Sequence, residues 1–176
     1  MPQAYEKGVL EDSTYVNKMA NIQCSVPPRW DAKTGNDALL LVGQSTENED
    51  GSQKNTMYQG MDFACKNPDS GSGFAVLYTP KGSLKLESFA EQTVKSLLLS
   101  SFMPYKETGS YYKTIAGHDS YVVTLEANVS DYYTAKEYLC FFEVESYVCI
   151  IHVYPNPIGV GNETFDGITN LFTAVQ

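Results

Sequence analysis

The sequence predicts an α+β fold built on an antiparallel sheet, and three observations carry that prediction. Tyr121, Val123, Leu125, Ala127 and Val129 alternate with Val122, Thr124, Glu126 and Asn128, the period of a strand. The runs EYLCFFEV and YVCIIHVY are apolar on both alternating faces, as central strands covered on each side must be. Between earlier and later strands, Phe89, Ala90, Val94, Leu97, Leu98 and Phe102 recur at three- and four-residue steps, the stripe of a helix lying across a sheet.

In chain order, residues 1–14 are acidic and poorly patterned and read as a flexible tether, loose or wrapped onto a single domain of residues 15–176. Residues 15–27 form a short hairpin in which Ile22, Cys24 and Val26 alternate with polar neighbours until Pro27 and Pro28 end the strand. Trp30 follows at once. Residues 39–43 read as a short apolar strand and 45–55 as a solvated loop, with further strands at 56–66 and 74–79 around the turn-rich NPDSGSG. A helix over 89–103 has Ser88 and Glu91 at capping-box spacing and Pro104 just past its end. Four strands follow, at 111–116, 120–129, 137–144 and 147–154. A second helix over 163–175, capped by Asn162, offers Phe165, Ile168, Leu171, Phe172 and Val175 to the sheet.

The chain has 176 residues, enough for one domain with a self-standing core. Its 12 basic and 21 acidic residues give a net charge of -9, a field that repels nucleic acid. Arg29 is the single arginine, so bidentate recognition of phosphate or carboxylate is nearly unavailable. No run approaches the roughly 20 apolar residues of a transmembrane helix, and the first residues lack the pattern of a signal peptide. A composition heavy in Tyr, Ser, Thr and Asn and light in Lys and Arg suggests an exported or surface-anchored domain whose leader the sequence does not include; taken literally, the chain reads as cytoplasmic. Asn128-Val-Ser130 and Asn162-Glu-Thr164 match the glycosylation acceptor pattern, which matters only in a eukaryotic secretory pathway.

Residues able to act on a substrate are sparse. The cysteines Cys24, Cys65, Cys140 and Cys149 form no CxxC pair. Cys140 and Cys149 lie on neighbouring strands: a four-residue loop would set them opposite each other for a disulfide, and a two-residue turn at Glu145 and Ser146 would offset them and leave buried thiols. His118 sits in a turn-like GHDS and His152 inside an apolar strand, neither in a metal-binding motif; Cys24 with His118 as base would need a long-range contact. Asn48, Asp50 and Gly51 approach a calcium-loop spacing, but Thr46 and Met57 occupy ligand positions that need acids. GSGF at 71–74 is not a nucleophile elbow, and GVGNET at 159–164 lacks the third glycine and the strand-helix frame of a phosphate loop. No catalytic residue, cofactor or metal ligand is assigned. The aromatic pairs Tyr111 with Tyr112 and Tyr132 with Tyr133, at ends of one strand system, are the candidate contact patch, against the plainer account that strands favour tyrosine.

The order of elements resembles the PsbP-like fold, shared by an oxygen-evolving subunit of photosystem II and a small nuclear-import factor that binds the GTPase Ran. The similar features are the early hairpin ending in Pro and followed by Trp (residues 22–30), the mid-chain amphipathic helix, the hairpin containing Gly117, the two long apolar strands and the C-terminal helix. Bacterial secreted and lipoprotein domains of unknown role show the same arrangement. The resemblance implies an α/β/α sandwich and a non-catalytic binding or accessory domain for a protein partner or cell-surface component. Two other readings stay open: a small hydrolase with a site gathered around His118 and Asp119, and a cytoplasmic regulator that binds a protein partner.

Overall fold

The computed structural model describes residues 3–54, 56–101 and 103–176. Strands β1 (Val9–Glu11), β2 (Thr14–Asn17), β3 (Ile22–Ser25) and β4 (Asp31–Thr34) are followed by helix α1 (Gly35–Leu41). A single 3-10 turn (Met57–Gly60) leads into β5 (Met61–Lys66) and β6 (Gly73–Pro80), then α2 (Leu86–Ser100). Strands β7 (Lys106–Ile115), β8 (His118–Ser130), β9 (Tyr133–Val144) and β10 (Tyr147–Tyr154) precede α3 (Phe165–Thr169) and β11 (Phe172–Thr173). Seven strands make one antiparallel sheet in the order β4-β5-β6-β10-β9-β8-β7, and four make a small sheet in the order β1-β2-β3-β11.

The large sheet is the middle layer. One face carries Leu77, Leu125, Leu139, Phe141, Val148 and Ile150 against α1 and α2; the other carries Phe63, Phe74, Val122, Phe142, Cys149 and Ile151 against the small sheet and α3. Burial on both sides explains why β9 and β10 lack polar alternation: β10 stands fourth of seven, and its six inner residues are all buried.

The predicted α+β class holds, with local corrections; the strand expected over 56–66 begins only at Met61, after the 3-10 turn. Residues 39–43 are not a strand: α1 takes them up to Leu41, burying Ala38 and Leu39 while Leu40 stays 78% exposed, a helical rather than a two-residue period. Helix α2 begins at Leu86 with Lys85 at its N-cap, so Ser88 lies inside the helix and caps nothing. Its face is as expected, with Ala90 and Val94 buried and Phe89, Leu97 and Leu98 packed beside them; Phe102 lies outside the described residues. The 163–175 helix shrinks to five residues capped by the Thr164 hydroxyl, which accepts from Gly167 N, and Phe172 leaves it to pair with Cys24 on β3. The body also starts before residue 15, because β1 and β2 belong to the small sheet and residues 3–8 wrap onto the domain instead of hanging from it. Finally, Glu145 and Ser146 form a two-residue turn, so Cys149 faces Phe142 and Cys140 faces Ile151; the Cys140–Cys149 pair does not form, and all four cysteines are free and buried.

Candidate functional site

The four tyrosines singled out above do not meet. Tyr111 pairs with Val122 and Tyr112 with Tyr121, whereas Tyr133 pairs with Ser130; the nine steps of β8 between Tyr121 and Ser130 amount to about 30 Å. Tyr111 and Tyr112 also lie on opposite faces of β7, an edge strand exposed over most of its length. The Tyr112 hydroxyl donates to Glu87 at the start of α2, and that bond, with some burial, pushes the phenol up to about 12.

Tyr132 and Tyr133 occupy a projecting tip. β7 first pairs with β8 at Glu126, and β10 last pairs with β9 at Tyr138, so beyond these positions β8 and β9 pair only with each other. Tyr133 is anchored: its hydroxyl donates to the Asn156 carbonyl, and its ring underlies Gly159, where a side chain would press against it. Tyr132 is 97% exposed. The same contact holds the 155–164 loop along the tip, and the residues flanking Gly159, Ile158 and Val160, are 61% and 67% exposed, with Val129 also open. This loop is fixed from below. Glu163 accepts from Asn67 Nδ2 at 2.5 Å and the Ser72 hydroxyl at 3.0 Å, while Asn156 closes on Gly161 through two hydrogen bonds of 2.7 and 2.6 Å. The exposed aliphatic side chains therefore stand on a braced loop. Sequence reading missed Ile158 and Val160; the available signal was two aliphatic residues within the Gly/Pro-rich PNPIGVG, where no core position is expected.

His118 and Asp119 line an open cleft of about 600 Å³ at the other end of β8, together with Lys81, Ser83, Glu87 and Glu143. Its polarity is largely spent internally: Lys81 pairs with Glu143 at 2.7 Å and Tyr112 with Glu87. His118 stacks on Phe142 at 4.2 Å and its Nε2 donates to the Ala20 carbonyl at 2.7 Å. No serine or cysteine among the described residues is hydrogen-bonded to that ring. The thiols are equally unsuited to nucleophilic work, because burial pushes Cys24, Cys140 and Cys149 well above the ordinary thiol range and Cys65 up to about 12.

His152 belongs to a second, largely buried cluster. Its Nε2 donates to Glu137 Oε2 at 2.8 Å, leaving Nδ1 to accept from the Tyr58 hydroxyl at 3.5 Å. The chain of groups has the order of a proton relay, yet Tyr58 and His152 are 8% and 5% exposed. Burial pushes the Glu137 carboxyl up, but the imidazole beside it and the hydrogen bonds from His152 and Tyr105 outweigh burial and hold it below the usual carboxylate range. The cluster ties β9, β10 and the 3-10 turn together, with the Glu137 side chain 20% exposed at its outer end.

A third cluster surrounds Asp62, fully buried on β5. Its carboxyl accepts from Tyr15 Oη at 2.5 Å, Asn17 Nδ2 at 2.9 Å and Gly8 N at 3.0 and 3.1 Å. It is the seat of the N-terminal segment.

Among the described residues no helix is long and apolar enough to cross a membrane. No family model and no curated protein matches the sequence. Among solved structures, the solution structure of cyanobacterial PsbP (CyanoP) from Synechocystis sp. PCC 6803 is similar, with a TM-score of 0.58 over 92% of this chain and 91% of that chain at 10% sequence identity. At that identity the likeness speaks for architecture, and with the layers and strand order described above it establishes that the chain has a PsbP-like fold.

Proposed function

We propose that the chain is a non-catalytic binding or accessory module that engages a protein partner or cell-surface component through the projecting β8–β9 tip. One observation carries this reading: Tyr132, Ile158 and Val160 hold most of their apolar surface in water on a braced tip, where folding gains little from them. Aromatic anchors of this kind dominate binding energy at interfaces. Their rigid mounting lowers the ordering cost on association. The reading is tested by comparing partner capture by the wild type, the Tyr132→Ser/Ile158→Ser double variant and a Tyr111→Ser control. It requires one partner to be lost from the double variant and kept by the control at unchanged thermal stability; equal capture by all three refutes it.

The cleft favours a second reading, a small hydrolase working through His118 and Asp119, because it gathers both with Ser83 around one open volume. Against it stands the engagement of His118 with Ala20 and Phe142. An ester and peptide substrate panel run with wild type and His118→Ala decides it: turnover lost in the variant supports the hydrolase, and identical background in both removes it.

Export is our reading of the composition, and four free thiols favour the competing cytoplasmic regulator. Fractionation of cells producing the native protein separates the two.

A further inference from the structure

The N-terminal arm, residues 3–11, is held by the body in the way a ligand is held. The Tyr5 ring stacks on Tyr78 at 3.8 Å and meets Tyr147 edge-on at 5.4 Å, and its backbone N donates to the Tyr147 hydroxyl at 3.2 Å. Asn17 Nδ2 reaches both the Tyr5 hydroxyl and the Glu6 carbonyl at 3.1 Å. Gly8 N donates to Asp62, and a side chain at Gly8 would overlap the Tyr15 ring, so the groove reads an aromatic residue and, three positions on, a glycine. The groove is set without the arm, because Tyr15 and Asn17 of β2 hold the Asp62 carboxyl from the body side. Val9–Glu11 then pairs with β2 through Val9↔Val16, Leu10↔Tyr15 and Glu11↔Thr14.

The connection between arm and body is strained. Asp12 and Ser13 form a two-residue turn in which both lie in the left-handed region, at φ 47° and 64°. Tight hairpins of this type favour Asn-Gly because the second position suits glycine. The β7–β8 hairpin supplies a glycine at that position, Gly117, and the Asp12–Ser13 turn has none. Short strained hinges favour exchange of the segment they return, since opening relieves the turn while every arm contact is remade on another copy.

We propose that two copies of this chain exchange residues 3–11 reciprocally, each groove taking Tyr5 and Gly8 from the other copy, with Asp12 and Ser13 as the hinge. The interface is separate from the β8–β9 tip, so it stands or falls independently of the function proposed above.

Because a tethered arm competes at an effective concentration on the order of millimolar, exchange is sought by incubating the full chain at about 1 mM before light scattering on a sizing column. The expected result is a dimer that returns slowly to monomer on dilution. Asp12→Asn/Ser13→Gly, which relieves the closed turn and leaves the groove intact, is expected to lower the dimer fraction about tenfold or more. A mixing experiment fixes the geometry: a donor dye on Gln3→Cys in one pool and an acceptor on Ser146→Cys in another, the native thiols being buried. Energy transfer in the mixed dimer supports arm exchange. Monomer alone at about 1 mM, a dimer without transfer, or a dimer indifferent to the hinge substitutions overturns it.

Discussion

Replacing Asp62 by alanine isolates the polar anchor beneath the arm. The carboxyl is fully buried and serves three donor groups, of which Asn17 Nδ2 keeps other acceptors in Tyr5 and Glu6. Tyr15 Oη and Gly8 N lose their bonds to the carboxyl. At about 1–3 kcal/mol for each buried donor left unsatisfied, Asp62→Ala is expected to cost roughly 2–6 kcal/mol. Tyr15→Phe removes a donor but leaves Asp62 with two others, for a loss of about 1–2 kcal/mol. The two losses must not add: once the hydroxyl is gone, removing the carboxyl orphans only Gly8 N, and the double variant should recover about 1–3 kcal/mol of the sum. Urea denaturation of the wild type, both single variants and the double variant measures the cycle, provided the m-values agree. Strict additivity, or a cost below about 1 kcal/mol for Asp62→Ala, would refute the assignment of Asp62 as acceptor for two otherwise unpaired donors.

Other consequences follow from the remaining clusters. The Glu137 carboxyl is held low in the folded state, so it contributes stability that is complete above its unfolded value of about 4.3 and is lost as pH falls through the lower folded value. The urea midpoints of wild type and Glu137→Gln should therefore differ at pH 7 and converge on acidification below about pH 4; a gap that widens instead contradicts the sign. Tyr154 Oη is buried with no hydrogen-bond partner among the described residues, so Tyr154→Phe should be neutral or stabilising by up to about 1–2 kcal/mol, and a loss above about 1 kcal/mol would contradict this. Gly8→Ala should lift the arm and speed tryptic cleavage after Lys7, with unchanged cleavage as the contrary result. The thiols should resist an aromatic disulfide reagent in the native state and all react in denaturant; rapid native reaction of any one would contradict their burial.

The parts of the fold legible in the sequence are those where one physical demand acts alone. β10 and residues 139–142 of β9 are buried on both faces, and their continuous apolar runs report it directly. α2 has one wet and one dry face, and its stripe survives an error of three residues at its start. Where demands conflict, the pattern fails. Residues 106–110 of β7 are polar throughout because an edge strand with little cover needs no apolar face, so the sequence pattern marks the strand only from residue 111. The run at 39–42 is too short to separate strand from helix by period. Residues 172–173 leave the amphipathic pattern of α3 because β3 offers them an edge, a long-range pairing no local window contains.

The site was less legible than the fold. Asp62 sits in MDFAC, where a single acid reads as the solvent-facing position of a strand; only Tyr15, Asn17 and Gly8, at least 45 positions away in sequence, make it an interior group. Tyr132 and Tyr133 were visible as an aromatic pair, but their division of labour, one ring pinned under Gly159 and one free, depends on a loop beginning more than twenty residues later.

The most direct test of a partner-binding tip is a hydrogen-exchange footprint of the chain with its captured partner bound. Protection is expected to be confined to residues 129–133 and 156–161; protection centred on residues 81–87 and 118–119, with the tip unchanged, would contradict a partner-binding tip and place the working surface in the His118 cleft.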